Sequence, residues 1–257
     1  MSRARKTALY VTAALFAALF VRLGVWQLDR RAQRVATERA IEERGELPAL
    51  DWTRAAADPS VVPRDTAGTV WRRAVVTGRY DREREIVLRG RALRGAPGVE
   101  VLTPLHTAAG ALLVLRGFLP APDALRPDLG DGWPDAFDDS IRVTVEGMLL
   151  PARSGQGGTP IRLALDGREH LVLAGADVAA IEEELPYPLL PYVIRGEDDG
   201  LDVATLGPPR EIERGSGPHL SYAIQWFAFA VITLVGTAAL VRKESRPRRP
   251  KLTAVPR

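Results

Sequence analysis

The sequence predicts an α+β protein in which two transmembrane helices, one near each end, flank an extracytoplasmic, mainly antiparallel β domain. Three observations predict it. Residues 220–241 hold 22 positions without a charge, a second apolar run opens the chain, and between them the hydrophobic period shortens toward two.

The C-terminal span is the plainer of the two. Its sequence, LSYAIQWFAFAVITLVGTAALV, is roughly 33 Å long as a helix, enough for a hydrocarbon core of about 30 Å, and it stops at Arg242 and Lys243. The first span covers 8–28. Ala8 to Val21 is apolar apart from Thr12, Arg22 interrupts, and LGVWQL continues to Leu28. A cleaved signal peptide is the rival reading, but no small-residue cleavage site follows the apolar run. An uncleaved span puts Arg22 near its outer end, where it can snorkel to the headgroups.

Orientation follows from the flanks. The tail 242–257 carries seven basic residues and one acidic residue, whereas 195–214 is rich in Asp and Glu. The positive-inside rule then predicts a multi-pass plasma-membrane protein with both termini cytoplasmic. The boundaries are a first span at 8–28, an extracytoplasmic domain at 29–217, a second span at 219–241 and a basic cytoplasmic tail at 242–257.

Within the domain, RRAQRVATERAIEER (30–44) is charged and rich in helix formers and extends the first helix until Gly45 and Pro48 end it. Residues 53–68 read as a loop. Strands follow at 70–80, 85–92, 98–106, 111–119, 141–150, 170–175 and 189–198, with a hairpin around 107–110 and a short helix at 176–185. The stretch 120–140 holds Pro120, Pro122, Pro127 and Pro134 and reads as a surface excursion, and 154–160 as a flexible loop.

Composition excludes several functions. The chain has no cysteine, so it has no disulfide, thiolate nucleophile or Cys-based zinc site. Two methionines are too few for handling copper(I) through soft ligands. A net charge of +3 gives no case for nucleic acid. No metalloprotease, nucleophile-elbow or phosphate-loop motif is present, and the chain reads as a non-enzyme. Gly155, Gly157 and Gly158 lack the flanking strand and helix that a phosphate loop needs. His106 and His170, at strand ends, read as solvated or hydrogen-bonded.

The interest lies where the spans meet. At 100° per residue, His219, Tyr222, Ala223, Trp226, Ala230, Thr233 and Thr237 share one stripe of polar, aromatic and small residues, suited to packing on another helix. Phe227, Ile224, Leu234 and Val231 fall opposite. In the first span the outer end carries Arg22, Gly24, Trp26, Gln27 and Arg30, so Trp26 and Gln27 are expected to meet Gln225 and Trp226. Two readings stand for this end. In one it is structural: an aromatic belt, Gln27 bonded to Gln225, and arginines on membrane lipid. In the other, His219 ligates haem iron, Arg22 and Arg30 pair with the propionates, and Trp26, Tyr222 and Trp226 pack on the macrocycle.

LGVWQLDR (23–30) after a first span and PHLSYAIQWFAFA (218–230) opening a second resemble the two end signatures of the surfeit locus protein family of cytochrome c oxidase assembly factors. VTGRYD (76–81), GAPGVEVLTPL (95–105), VLRGFLP (114–120) and LPYPLLPYVI (185–194) are similar to its internal blocks, in the same order. The resemblance implies a non-enzymatic factor that helps haem a reach subunit I of the oxidase and stabilises an early assembly intermediate. It implies subunit I, and the haem a synthesis machinery, as partners. It places the family's haem-binding histidine at His219 and its glycine–tryptophan–glutamine pattern at Gly24, Trp26 and Gln27. Phe118 stands where the family often has Trp, and the family's Asn-containing motif is absent. A haem-free scaffold and a membrane-anchored binding or sensor module are the alternatives.

Overall fold

The computed structural model describes residues 2–56, 58–63, 66–123, 141–152, 155, 157–165, 168–199, 206–209 and 218–245. The expected excursion at 120–140 lies largely outside them, as do 246–257 of the tail, two positions of the 154–160 loop and much of the acid-rich stretch before the second span. The chain forms two compact units, 1–39 with 214–257 and 40–213.

The first unit is made of helices. Helix α1 (Arg3–Gly45) starts in the Ala-, Leu- and Phe-rich run and continues without a break through the Glu- and Arg-rich segment. Straight-chain and alanine residues cost little rotamer freedom in a helix, which sustains so long an element. Both α1 and the C-terminal helix α3 (His219–Ser245) are long and apolar enough to cross a membrane. The carbonyl of Pro218 starts α3 by accepting from the backbone N–H of Tyr222, while Ser221 Oγ donates to the same oxygen.

Among the described residues, the second unit holds a nine-stranded sheet. Its strands are β1 (Leu50–Asp51), β2 (Arg73–Tyr80), β3 (Ile86–Leu93), β4 (Ala96–Thr107), β5 (Gly110–Pro120), β6 (Val143–Pro151), β7 (Ile161–Leu165), β8 (Arg168–Leu173) and β9 (Leu189–Asp198). Their spatial order is β1-β2-β6-β9-β5-β4-β3-β8-β7, and β2 also pairs with β4. That extra pairing, Arg79 with His106 and Tyr80 with Leu105, closes β2-β6-β9-β5-β4 into a ring. The sheet is mixed, which corrects the expectation of a mainly antiparallel domain: β1 runs parallel to β2, β8 to β3, and β9 to β5. The β3–β8 and β5–β9 pairs join strands far apart in sequence, and only antiparallel neighbours can be joined by a tight turn. Period-two patterning identifies a strand but does not give its direction.

The ring encloses one core, with Trp52, Leu112, Val114, Tyr192 and Ile194 among its buried members. Trp52 packs against Tyr192 at 5.2 Å between ring centroids, and the Tyr192 hydroxyl donates to the carbonyl of Pro63. A second core lies on the other face of β5 and β9, where Leu113 and Val193 meet Val178 and Ile181 of the short helix α2 (Val178–Glu182). Strands β5 and β9 are thus buried on both faces, which is why ALLVL (111–115) reads as a continuous apolar run. The hairpin at 107–110 and the strand at 189–198 stand where the sequence places them. Strands β1 and β7 and two 3₁₀ turns within 53–61 were not expected.

Candidate functional site

Helices α1 and α3 pack antiparallel. Gln27 meets His219, Gly24 meets Phe227, and Phe20 stacks on Trp226 at 5.8 Å between centroids and 25° between planes. Phe229 completes the aromatic cluster against Phe20 and Trp226, both at 5.9 Å. Small residues let helices approach closely, and Ala13, Ala17, Gly24, Ala223 and Ala230 are buried. The opposite faces expose large apolar side chains, among them Leu15, Phe16, Val231, Ile232 and Val235.

The packed stripe of α3 holds His219, Ala223, Trp226, Ala230, Thr233 and Thr237, as the 100° spacing predicts. Two assignments change. Tyr222 is 47% exposed, and Phe227, expected opposite, packs on Gly24. The ring reaches Gly24 because a residue without a β-carbon leaves room for it. The Gln27–Gln225 bond does not form: Gln27 Oε1 lies 2.8 Å from Nδ1 of His219, and Gln225 is exposed.

Arg22, Trp26 and Arg30 fall four residues apart and form an exposed stripe on α1. The Arg30 guanidinium lies 5.8 Å from the Trp26 ring centroid, in cation–π range, and Arg30 Nη1 donates to Oε1 of Gln33. The helix pair therefore brings together His219 and Gln27, leaves Trp26, Arg22, Arg30 and Tyr222 outward, and uses Trp226 in the packing between helices.

The sheet unit holds a polar centre that the sequence reading missed. The Arg116 side chain is 2% exposed; its Nη1 lies 3.5 Å from Glu85 Oε1 and its Nε 3.3 Å from Asp199 Oδ2. Tyr80 donates its hydroxyl to the same Asp199 oxygen at 3.1 Å, and its ring lies under the Arg116 guanidinium at 4.8 Å. Thr103 donates to Glu85, and Arg82 Nε stands 3.9 Å from it. Burial, followed by the charge of Asp199, raises the Tyr80 phenol well above its ordinary range. Arg116 turns inward through a β-bulge. Val101 pairs with Gly117 and Leu102 with Leu115, so Arg116 is the unmatched residue. The signal was an arginine closing the apolar run of a doubly buried strand, since a charge there needs a carboxylate. A cleft of about 200 Å³ borders Tyr80, Arg116, Asp199 and Gly207.

The other two histidines keep structural company. His170 is buried, with Nδ1 3.3 Å from the carbonyl of Glu85. His106 lies edge-on to Tyr187, whose hydroxyl donates to Asp81 at 2.7 Å. Burial and that bond raise the Tyr187 phenol. In the glycine-rich loop, the Gly155 N–H donates to the Asp177 carboxylate, which also caps α2.

The family model described as the SURF1 family matches residues 14–231. Among curated proteins the chain is similar to uncharacterised SURF1-like proteins of Mycobacterium bovis and of two strains of Mycobacterium tuberculosis. Each is 27% identical over 242 residues, which cover 90% of this chain and 80% of the relative.

Proposed function

The chain belongs to the SURF1 family, which is linked to cytochrome c oxidase assembly, and from that premise we propose that it is a membrane-bound assembly factor that assists haem a insertion into subunit I and stabilises that subunit. The observation that carries the proposal is the antiparallel helix pair with His219 at the head of α3 and its Nδ1 on Gln27.

The outward faces of α1 and α3 are the surface a bilayer covers. An antiparallel pair places Arg3, Arg5 and Lys6 at the same end as Arg242 and Lys243, which supports cytoplasmic termini and an extracytoplasmic sheet unit. The donor chemistry at the opposite end suits haem. It offers an imidazole nitrogen for iron, guanidinium groups for carboxylates from Arg22 and Arg30, and the exposed faces of Trp26 and Tyr222. Trp226 supports the site from within the helix packing. When bound, the haem would supply the iron; His219 would hold it through an imidazole nitrogen, and Arg22 and Arg30 would face its carboxylates.

The test is to purify the full chain from cells that make haem a and record its absorption spectrum. His219→Ala is expected to lose the haem signal, and full retention would remove the ligand assignment. The second reading, a haem-free scaffold on subunit I, is favoured by the commitment of Trp226 to Phe20. It predicts co-purification with subunit I that survives His219→Ala. Normal oxidase activity in a deletion strain would point instead to a membrane-anchored binding or sensor module.

A further inference from the structure

The 2.8 Å contact between Nδ1 of His219 and Oε1 of Gln27 fixes more than the helix spacing. An amide oxygen has only lone pairs to offer, so the ring nitrogen facing it must carry the hydrogen. A neutral imidazole has one such hydrogen. With it on Nδ1, Nε2 across the ring keeps a bare lone pair. We infer that Gln27 is a positioning residue that holds His219 in its Nδ1–H tautomer and makes Nε2 the nitrogen available to a metal.

The choice of a glutamine has a physical consequence. A carboxylate facing the same nitrogen would favour imidazolium, which has no lone pair, and would carry a charge on a helix of membrane-crossing length. The neutral amide orients the ring without adding charge. Partners that bind the non-ligating nitrogen of a metal-binding histidine fix its tautomer and ring orientation in the same way. The identity of the metal as haem iron rests on the function proposed above; the tautomer rests on the amide oxygen of Gln27, rather than its amide nitrogen, facing Nδ1.

Two measurements separate these parts. The first uses the full chain in detergent, free of haem and labelled with ¹⁵N-histidine. With three histidines in the chain, the His219 signals are assigned by their loss in His219→Ala. The expected spectrum has a protonated Nδ1 and an unprotonated Nε2. Gln27→Leu is expected to shift His219 toward the Nε2–H form, and Gln27→Glu to retain the hydrogen on Nδ1. An Nε2–H tautomer in the unsubstituted chain, a doubly protonated ring at neutral pH, or a Gln27→Leu spectrum unchanged from it would each overturn the inference.

The second measurement titrates haem a into the same preparations. Gln27→Leu is expected to bind it about ten- to a hundred-fold more weakly, with a changed iron–histidine stretching frequency. Equal affinity in Gln27→Leu overturns the positioning role. If no preparation binds haem a while the tautomer is as stated, the haem reading fails and the assignment of the hydrogen stands.

Discussion

The ring of Phe227 lies against Gly24, so close that a β-carbon at position 24 would come within 2.7 Å of Cε1. Any larger side chain there has to push the helices apart or displace the ring. Because the chain has no cysteine, the pair Gln27→Cys and His219→Cys gives a clean readout of helix proximity. A short bifunctional thiol reagent is expected to cross-link it efficiently. Adding Gly24→Leu is expected to cut the yield several-fold, while Gly24→Ala, which a turn of the ring can accommodate, has a small effect. Equal yields in all three would dissociate Gly24 from the packing.

Arg116 links Glu85 and Asp199, and its removal leaves two carboxylates without their shared cation. Breaking a buried ion pair from one side costs about 3–5 kcal/mol. Arg116→Met is therefore expected to lower the unfolding free energy of the full chain in detergent by that order, measured by guanidinium denaturation. Tyr80→Phe, which removes one hydrogen bond to Asp199, should cost about 1 kcal/mol. A loss under 1 kcal/mol for Arg116→Met would mean that the network does not support the fold.

Gly78 allows β2 to close on β4. A β-carbon there would stand 2.5 Å from the carbonyl oxygen of His106, a backbone atom that cannot swing aside. Gly78→Val is expected to destabilise by about 3 kcal/mol, seen as a lower thermal midpoint. It should also speed amide hydrogen exchange at Arg79 and Tyr80, the residues whose pairing closes the ring. Unchanged exchange at those two positions would contradict the closure.

The two raised phenols set an alkaline limit. For Tyr80 and Tyr187 the folded-state value exceeds the unfolded one, burial being the larger cause in both. Their stabilising effect is full below the unfolded value near 10 and is lost as pH rises through the folded values. Unfolding midpoints are expected to hold up to about pH 10 and then fall. In a phenolate absorbance titration, Tyr80 and Tyr187 should ionise only as the chain unfolds. Tyr187→Phe should make the fall shallower, because one phenol fewer is held protonated by the fold. Ionisation of Tyr80 and Tyr187 with the fold intact would be the contrary result.

The helices and most strands were legible because each carries its own period. The apolar stripe of α3 follows 100° spacing, and β2 and the first half of β6 follow alternation. Residues whose partners are distant in sequence were less legible. Gln27 and Gln225 looked equally placed, and only the rotation of one helix against the other selects His219 as Gln27's partner. Phe227 was read as opposite the packed stripe, because the groove over Gly24 exists only once the helices are paired. Arg116 was hidden for a similar reason: Glu85 and Asp199 lie 31 residues before it and 83 after it, and the bulge that aims it inward is a property of the β4–β5 register. Strand direction escaped as well, since β8 and β9 become parallel neighbours of β3 and β5 only through long connections.

Gln27 and His219 are separated by 192 residues of chain. A ribosome adds roughly 5–20 residues per second, so the second half of the pair emerges roughly ten to forty seconds after the first. Until then α1 has no partner helix, and a polypeptide whose synthesis stops early can present neither the glutamine–imidazole bond nor the aromatic cluster beneath it. The order of synthesis therefore makes the helix pair a late mark: only a chain made through His219 and the aromatic residues that follow it displays it.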